Sequence, residues 1–143
     1  MSDPREEACR WLGQANNDLS FARVGLREGY YAKSCFLAQQ AAQKVLKAVR
    51  YARGDRVVLG HSVWDQLRVL ASDFPKLAIH QDSARQLDLL YVPTRYPNSL
   101  PAGAPFEVFS AEQAKGAVEL ANRVFADAKK VVAGLGAGRR KKR

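Results

Sequence analysis

The chain has 143 residues and is 47% hydrophobic, enough for one domain whose core needs neither disulfides nor a metal, and too apolar for wholesale disorder. Of nine net positive charges, five sit in the terminal run RRKKR and four remain on the body. That balance permits contact with nucleotides, RNA or acidic proteins, and identifies none of them.

In chain order, the first helix is signalled by Asp3 as N-cap, Pro4 at the first helical position, and Glu6 and Glu7 facing the positive end of the dipole. Ala8, Leu12, Ala15, Leu19, Ala22 and Leu26 step by four and three along one face, and Gly29 stands at the C-cap. A second helix runs from about Tyr31 to Arg53, with Cys35, Ala38, Ala42, Val45, Val49 and Ala52 repeating the stepping before Gly54. Seams so rich in alanine let two axes approach closely, which predicts an antiparallel hairpin at the centre of a bundle. HSVWDQLRVL opens a third helix with Ser62 and Asp65 at capping-box spacing, and SARQLDLLY is a shorter fourth ended by Pro93. Ser110 and Gln113 start the last helix, whose face carries Ala114, Ala117, Ala121, Val124, Ala128 and Val131. No strand-like alternation of any length occurs. The expectation is an all-α up-and-down bundle of four to five helices over residues 1–134, with a proline-rich strap before the last helix, then a flexible glycine-rich and basic tail at 135–143.

Cys9 and Cys35 are too few for a disulfide framework and lack metal-ligand spacing, so both are expected as small core residues. With a polar, acidic N-terminus unlike a signal peptide and no apolar run of membrane-spanning length, the expected setting is the cytoplasm, without metal, cofactor or membrane partner.

Three places could carry chemistry. On the second helix Gln40, Lys44, Lys47 and Tyr51 share a face; it is either a solvated outer surface or a place where two ammonium groups meet one phosphate. His61, just before the third helix, is either a helix-entry residue or a general base in need of a partner. His80 carries no assignment, and Asp65 and Asp88 are too isolated to suggest a metal. The third place is YVPTRYPNSLPAGAPF, residues 91–106, where Pro93, Pro97, Pro101 and Pro105 forbid a helix. So long an irregular stretch in a compact domain is functional or disordered. Tyr91, Tyr96, Leu100, Phe106 and Phe109 argue against disorder, and a polyproline-like strap laid over the bundle fits better. Arg95 would then be held on a stiff backbone, either for a phosphate, carboxylate or partner chain, or in a structural pair with Asp88 or Glu107.

EEACRWLGQANNDLSFAR, GYYAKSCFLAQQAAQKVLKAVRYARG, GHSVWDQL and the strap followed by EVFSAEQAKGAVELA occur in the order found in HEPN domains, which the sequence resembles over nearly its whole length. The AQQAAQKVLKA helix and the Y-x-P-T-R-Y-P strap carry most of that resemblance. It implies a helical bundle that pairs as a homodimer, binds nucleotide or RNA, and often works beside a small nucleotidyltransferase. HEPN ribonucleases carry an arginine, a polar residue and, four to six residues on, a histidine late in the bundle. Here no histidine follows Arg95, since the last one is His80. Arg56 and His61 have the spacing, but Val57 follows the arginine and both precede the third helix. The sequence thus resembles the non-cleaving branch: a non-enzymatic homodimeric module with Lys44, Lys47, Arg95 and Tyr96 as candidate ligand contacts. The alternatives are a metal-independent, toxin-type endoribonuclease using Arg56 and His61, and a purely structural dimerisation module. The basic tail adds either non-specific RNA affinity or only solubility.

Overall fold

The computed structural model describes residues 3–141, with side chains to residue 136. Every regular element among them is helical: α1 Pro4–Glu28, α2 Tyr31–Arg53, α3 Val63–Leu70, α4 Pro75–Ala78, α5 Gln81–Asp88, α6 Pro105–Val108 and α7 Ala111–Lys141, with a 3-10 turn at Pro97–Ser99. This is the all-α bundle expected, with the one-turn helices α4 and α6 in addition. The helix ends follow local chemistry. Asp3 accepts the Arg5 N–H at 2.9 Å, Ser62 accepts the Asp65 N–H at 3.0 Å, and Ser110 and Gln113 bond reciprocally. Gly29 and Gly54 end α1 and α2 at φ 86° and 109°, the left-handed region open to glycine. The backbone of α7 stays helical to Lys141, past the boundary expected at residue 134; the side chains of the basic run at 139–143 lie outside the described residues.

Helix α2 is the axis of the molecule. It packs against α1, α7, α3, α5 and α6, and Ala38, Ala41, Ala42, Val45, Leu46, Ala48 and Val49 are all buried. Small side chains are what allow neighbours on so many sides. At one end of the α1–α2 pair the approach is tight: a Cβ on Gly25 would lie 3.3 Å from Ser34 Cβ and from the Tyr30 carbonyl oxygen. Ser34 donates its hydroxyl to the Ala22 carbonyl at 2.6 Å, which holds that register. His80, at the head of α5, is buried with Nε2 2.7 Å from the Asp127 carboxylate, tying α5 to α7. Cys35 is a core residue whose thiol burial pushes up to about 11. Cys9, expected in the core, is exposed, because it stands one residue off the Ala8–Leu12–Ala15 face.

The other end of the α1–α2 seam is polar. Asp18 is buried, accepts from the Gln14 amide at 3.0 Å and pairs with Lys44 at 2.7 Å. One turn on, Lys47 is 5% exposed, with its ammonium 5.2 Å from the centre of the Trp11 ring, which stacks on Tyr51. The stripe of Lys44, Lys47 and Tyr51 therefore faces α1 and is not a solvated outer surface. Burial lowers the Lys47 pKa from 10.5, and the nearby cations Lys44 and Arg50 lower it further.

Two stability measurements follow from this seam. Gly25→Leu forces side-chain atoms against Ser34 and the Tyr30 carbonyl and should cost about 1–3 kcal/mol, the range for overpacking, read as a fall of several degrees in Tm; an unchanged Tm would mean that the hairpin slides freely. For Lys47, the folded pKa lies below the unfolded one, so the unfolded chain holds the proton more tightly. The protonated lysine costs the fold most at neutral pH, and the cost fades as pH rises through the folded pKa toward 10.5. Lys47→Met should raise Tm at neutral pH, with a gain that shrinks as pH approaches 10.5. A lower Tm for Lys47→Met at neutral pH would mean that the ammonium–Trp11 contact outweighs burial.

Candidate functional site

The strap is not a polyproline strand. After α5 the chain makes consecutive tight turns to Arg95, then the 3-10 turn, then α6. The prolines themselves explain the difference. Pro93 takes the second position of a turn closed by the Arg95 N–H on the Val92 carbonyl at 3.1 Å. Pro97 and Pro105 occupy the first positions of the 3-10 turn and α6, where a missing N–H is harmless. Phe109 is buried, Leu100 packs on the core and Tyr91 lies against Phe36 of α2, as expected of aromatic and apolar groups laid on a bundle. Tyr96 and Phe106 instead stay 50% and 74% exposed.

The turn at Pro93 folds Arg95 back over Tyr91. Thr94, buried, donates to the Leu90 carbonyl at 2.6 Å, and Arg95 Nε donates to the Tyr91 carbonyl at 2.9 Å. The guanidinium carbon sits 4.4 Å from the Tyr91 ring centre, 4.7 Å from Phe36 and 5.0 Å from Tyr96. Among the described residues it has no carboxylate partner. Asp88 and Glu107, the two considered from sequence, are engaged elsewhere, Glu107 with the Ala104 N–H. The guanidinium is therefore fixed by its Nε and its flat faces, with both terminal nitrogens without a partner among the described residues.

Asp88 builds the wall beside it. Its carboxylate accepts from Val63 N at 2.7 Å, Trp64 N at 3.1 Å, Ser62 Oγ at 2.6 Å and Gln39 Nε2 at 3.2 Å. It thus caps the N-terminus of α3 from the far end of α5, where the α3 dipole favours a negative charge. Gln39 also donates to the His61 carbonyl at 2.7 Å. Gly60, at φ 97°, reverses the chain just before His61. The exposed His61 ring stacks on Tyr91 at 5.6 Å and 13°. His61 and Arg95, distant in sequence, thus share one tyrosine. A cavity of about 250 Å³ opens between Gln39, His61, Ser62, Asp88 and Tyr91.

The structure brings Arg95, Tyr96 and His61 to this end of the bundle and leaves the other candidates apart. Lys47 lies eleven residues beyond Phe36 on α2, about 16 Å of helical rise, and Lys44 is engaged by Asp18. Arg56 is exposed and makes no hydrogen bond, ion pair or ring contact among the described residues, so nothing joins it to His61. Phe36 and Gln39 were not singled out by sequence reasoning, and Asp88 entered it only as a carboxylate too isolated for a metal and as a possible partner for Arg95. The available signal was the glutamine cluster Gln39, Gln40 and Gln43 in an otherwise alanine-rich helix, which a purely apolar face does not need. Among the described residues, no group of three or more His, Cys, Asp or Glu side chains gathers as a metal would require, and no helix is long and apolar enough to cross a membrane.

Comparison with known proteins places this geometry in a family. The HEPN domain model matches residues 8–131. Among solved structures, TT1696 from Thermus thermophilus superposes with a TM-score of 0.82 at 38% identity, over 87% of this chain and 98% of that one. The archaeal HEPN homologue ST0689 gives 0.73 at 32% identity over 88% and 98%. A HEPN domain protein from Thermotoga maritima gives 0.55 at 30% identity over 90% and 95%. No curated protein matches the chain. With the family model covering most of its length and these relatives matched nearly end to end, the chain belongs to the HEPN domain family.

Proposed function

We propose that the protein is a non-enzymatic, homodimeric HEPN module that binds a nucleotide through its phosphate and serves beside a partner nucleotidyltransferase. The observation that carries the binding reading is Arg95: a guanidinium held over three aromatic rings and, among the described residues, bonded through Nε only, with no carboxylate to neutralise it. An arginine in that state has its fork preorganised for a phosphate, and Tyr96 flanks the approach. Lys44 and Lys47 are weaker candidates in this reading, since one is paired with Asp18 and the other is buried against Trp11. The ribonuclease alternative at Arg56 and His61 has no observation of its own. Pairing of two copies is supported by the apolar groups exposed around the strap, Leu89, Val92, Tyr96, Phe106 and Val108. The nucleotidyltransferase partner rests on family membership.

Arg95→Ala should weaken binding of a nucleoside monophosphate, followed by calorimetric titration, by the worth of a charge-assisted hydrogen bond, about 1.5–3 kcal/mol or at least tenfold in Kd. Its Tm should change little. Arg95→Lys should recover part of a simple charge contact but not a forked one. A lowered Tm with unchanged affinity would make Arg95 architectural and end this reading. Size exclusion with light scattering at micromolar concentration should return twice the chain mass; a monomer across a concentration series would remove the dimer from the proposal.

A further inference from the structure

We infer that the cavity beside Arg95 accepts one nucleobase by stacking, without reading which base it is. The inference rests on the reading that Arg95 takes a phosphate, and it specifies the rest of the ligand. At about 250 Å³ the cavity is smaller than the ~300–1,000 Å³ of sites that enclose drug-sized molecules. It suits one planar ring system.

The carboxylate, hydroxyl and amide in its walls are already engaged. An ionised carboxylate offers about four acceptor positions, and Asp88 receives donors from Val63, Trp64, Ser62 and Gln39. A carboxylate is the group that would recognise an exocyclic amine on a base edge, and this one has nothing left to accept with. The Ser62 hydroxyl gives its proton to Asp88 and accepts from the Asp65 N–H. The Gln39 amide donates to the His61 carbonyl and Asp88, and its oxygen accepts from Gln40. What the cavity still offers is the flat surface of His61 and Tyr91, whose ring nitrogens and phenol oxygen lie in the ring planes and so point past a base stacked on a face. The exposed His61 ring has Tyr91 on one side and no other ring contact or side-chain hydrogen bond among the described residues. A base laid on its free face extends the stack, and Tyr91 couples that stack to the guanidinium of Arg95. Stacking of this kind tolerates every base, because each has a π-face. The ligand is one nucleotide unit, whether a free mononucleotide or a residue of a single strand.

The test titrates the intact protein with AMP, CMP, GMP, UMP and ribose 5-phosphate, which keeps the phosphate and lacks the base. Each mononucleotide should bind roughly ten- to a hundredfold tighter than ribose 5-phosphate, the contribution of one stacked base. The four should lie within about tenfold of one another, purines ahead. His61→Ala should remove most of the advantage over ribose 5-phosphate and leave the sugar phosphate unchanged, while His61→Phe should keep it. The backbone carbonyl that Gln39 holds is present in both variants, and melting curves check the fold. A short oligouridylate binding more tightly than UMP would point to a strand as the source, and equal affinity to the free nucleotide; both agree with the stack. If AMP and ribose 5-phosphate bind alike but depend on Arg95, the stacking inference falls and the phosphate reading stands. If no probe binds, or binding ignores Arg95, the phosphate reading fails and the inference with it. A hundredfold preference for one base would show a polar reader and overturn base-blind binding.

Discussion

Asp88 accepts hydrogen bonds from two separate segments, the start of α3 and the middle of α2, and the geometry of the candidate site at the strap end depends on them. Two of the four donors are backbone N–H groups that the first turn of α3 cannot pair within the helix, one is the Ser62 hydroxyl, and one is the Gln39 amide from the middle of α2. A carboxylate at the end of α5 is unfavourable with respect to its own helix dipole. It is favourable at the start of α3, and charge-assisted bonds are stronger than neutral ones. The carboxylate thus joins α5, α3 and α2 at one point. Tyr91 follows it by three residues, bonded through its N–H to the Asp88 carbonyl at 3.1 Å, so the ring that carries both His61 and Arg95 is placed relative to that junction.

The amide chain behind Asp88 has a direction. Gln40 donates to Gln39, which donates to Asp88 and to the His61 carbonyl, and Gln43 reaches Gln40 at 3.4 Å. The row ends at the Gln43 oxygen, which is buried and has no partner among the described residues. Buried polar rows of this sort specify a register, because sliding α2 by one turn would leave several groups unpaired at once. An alanine-rich helix has few large side chains with which to fix its own position, so the glutamines supply what packing on Ala38, Ala41, Ala42 and Ala48 does not.

Much of the fold was legible in the sequence because it is determined locally. Asp3, Gly29, Gly54, Ser62 and the Ser110–Gln113 pair mark helix ends through bonds or φ values within a few residues, and the inward faces of α1, α2 and α7 follow from spacing alone. Local information ran out where a neighbour decides the outcome. Periodicity placed Lys44, Lys47 and Tyr51 on one face but could not say that α1 covers it, so a buried seam read as either a solvated stripe or a phosphate site. The four prolines correctly excluded a long helix. They did not show that turn and N1 positions use proline as readily as an extended strand does, so a strap of tight turns was read as polyproline-like. Within the site, Arg95 and Tyr96 were legible from the stiff segment that bears them. Asp88, which meets its donors 24 to 49 residues away, left no trace in its own neighbourhood.

The two cations that lean on aromatic rings, Lys47 on Trp11 and Arg95 on Phe36, Tyr91 and Tyr96, show why only one of them suits an anion. Both lack a carboxylate among the described residues. Lys47 is a compact, strongly hydrated charge taken out of water, and its environment acts against the charged form, lowering its pKa. It can lose its proton, and its burial leaves little room for a phosphate to restore what hydration it lost. Arg95 is half-buried, and a guanidinium does not deprotonate in proteins. Ring faces cover its flat surfaces, which are weakly hydrated in any case, while its edge keeps the donors that water or a ligand must satisfy. A charge that is not relieved by losing a proton, and that has no pair among the described residues, is best relieved by an anion from outside. That asymmetry is the reason for proposing a ligand at the strap end of α2 and leaving the lysine end to architecture.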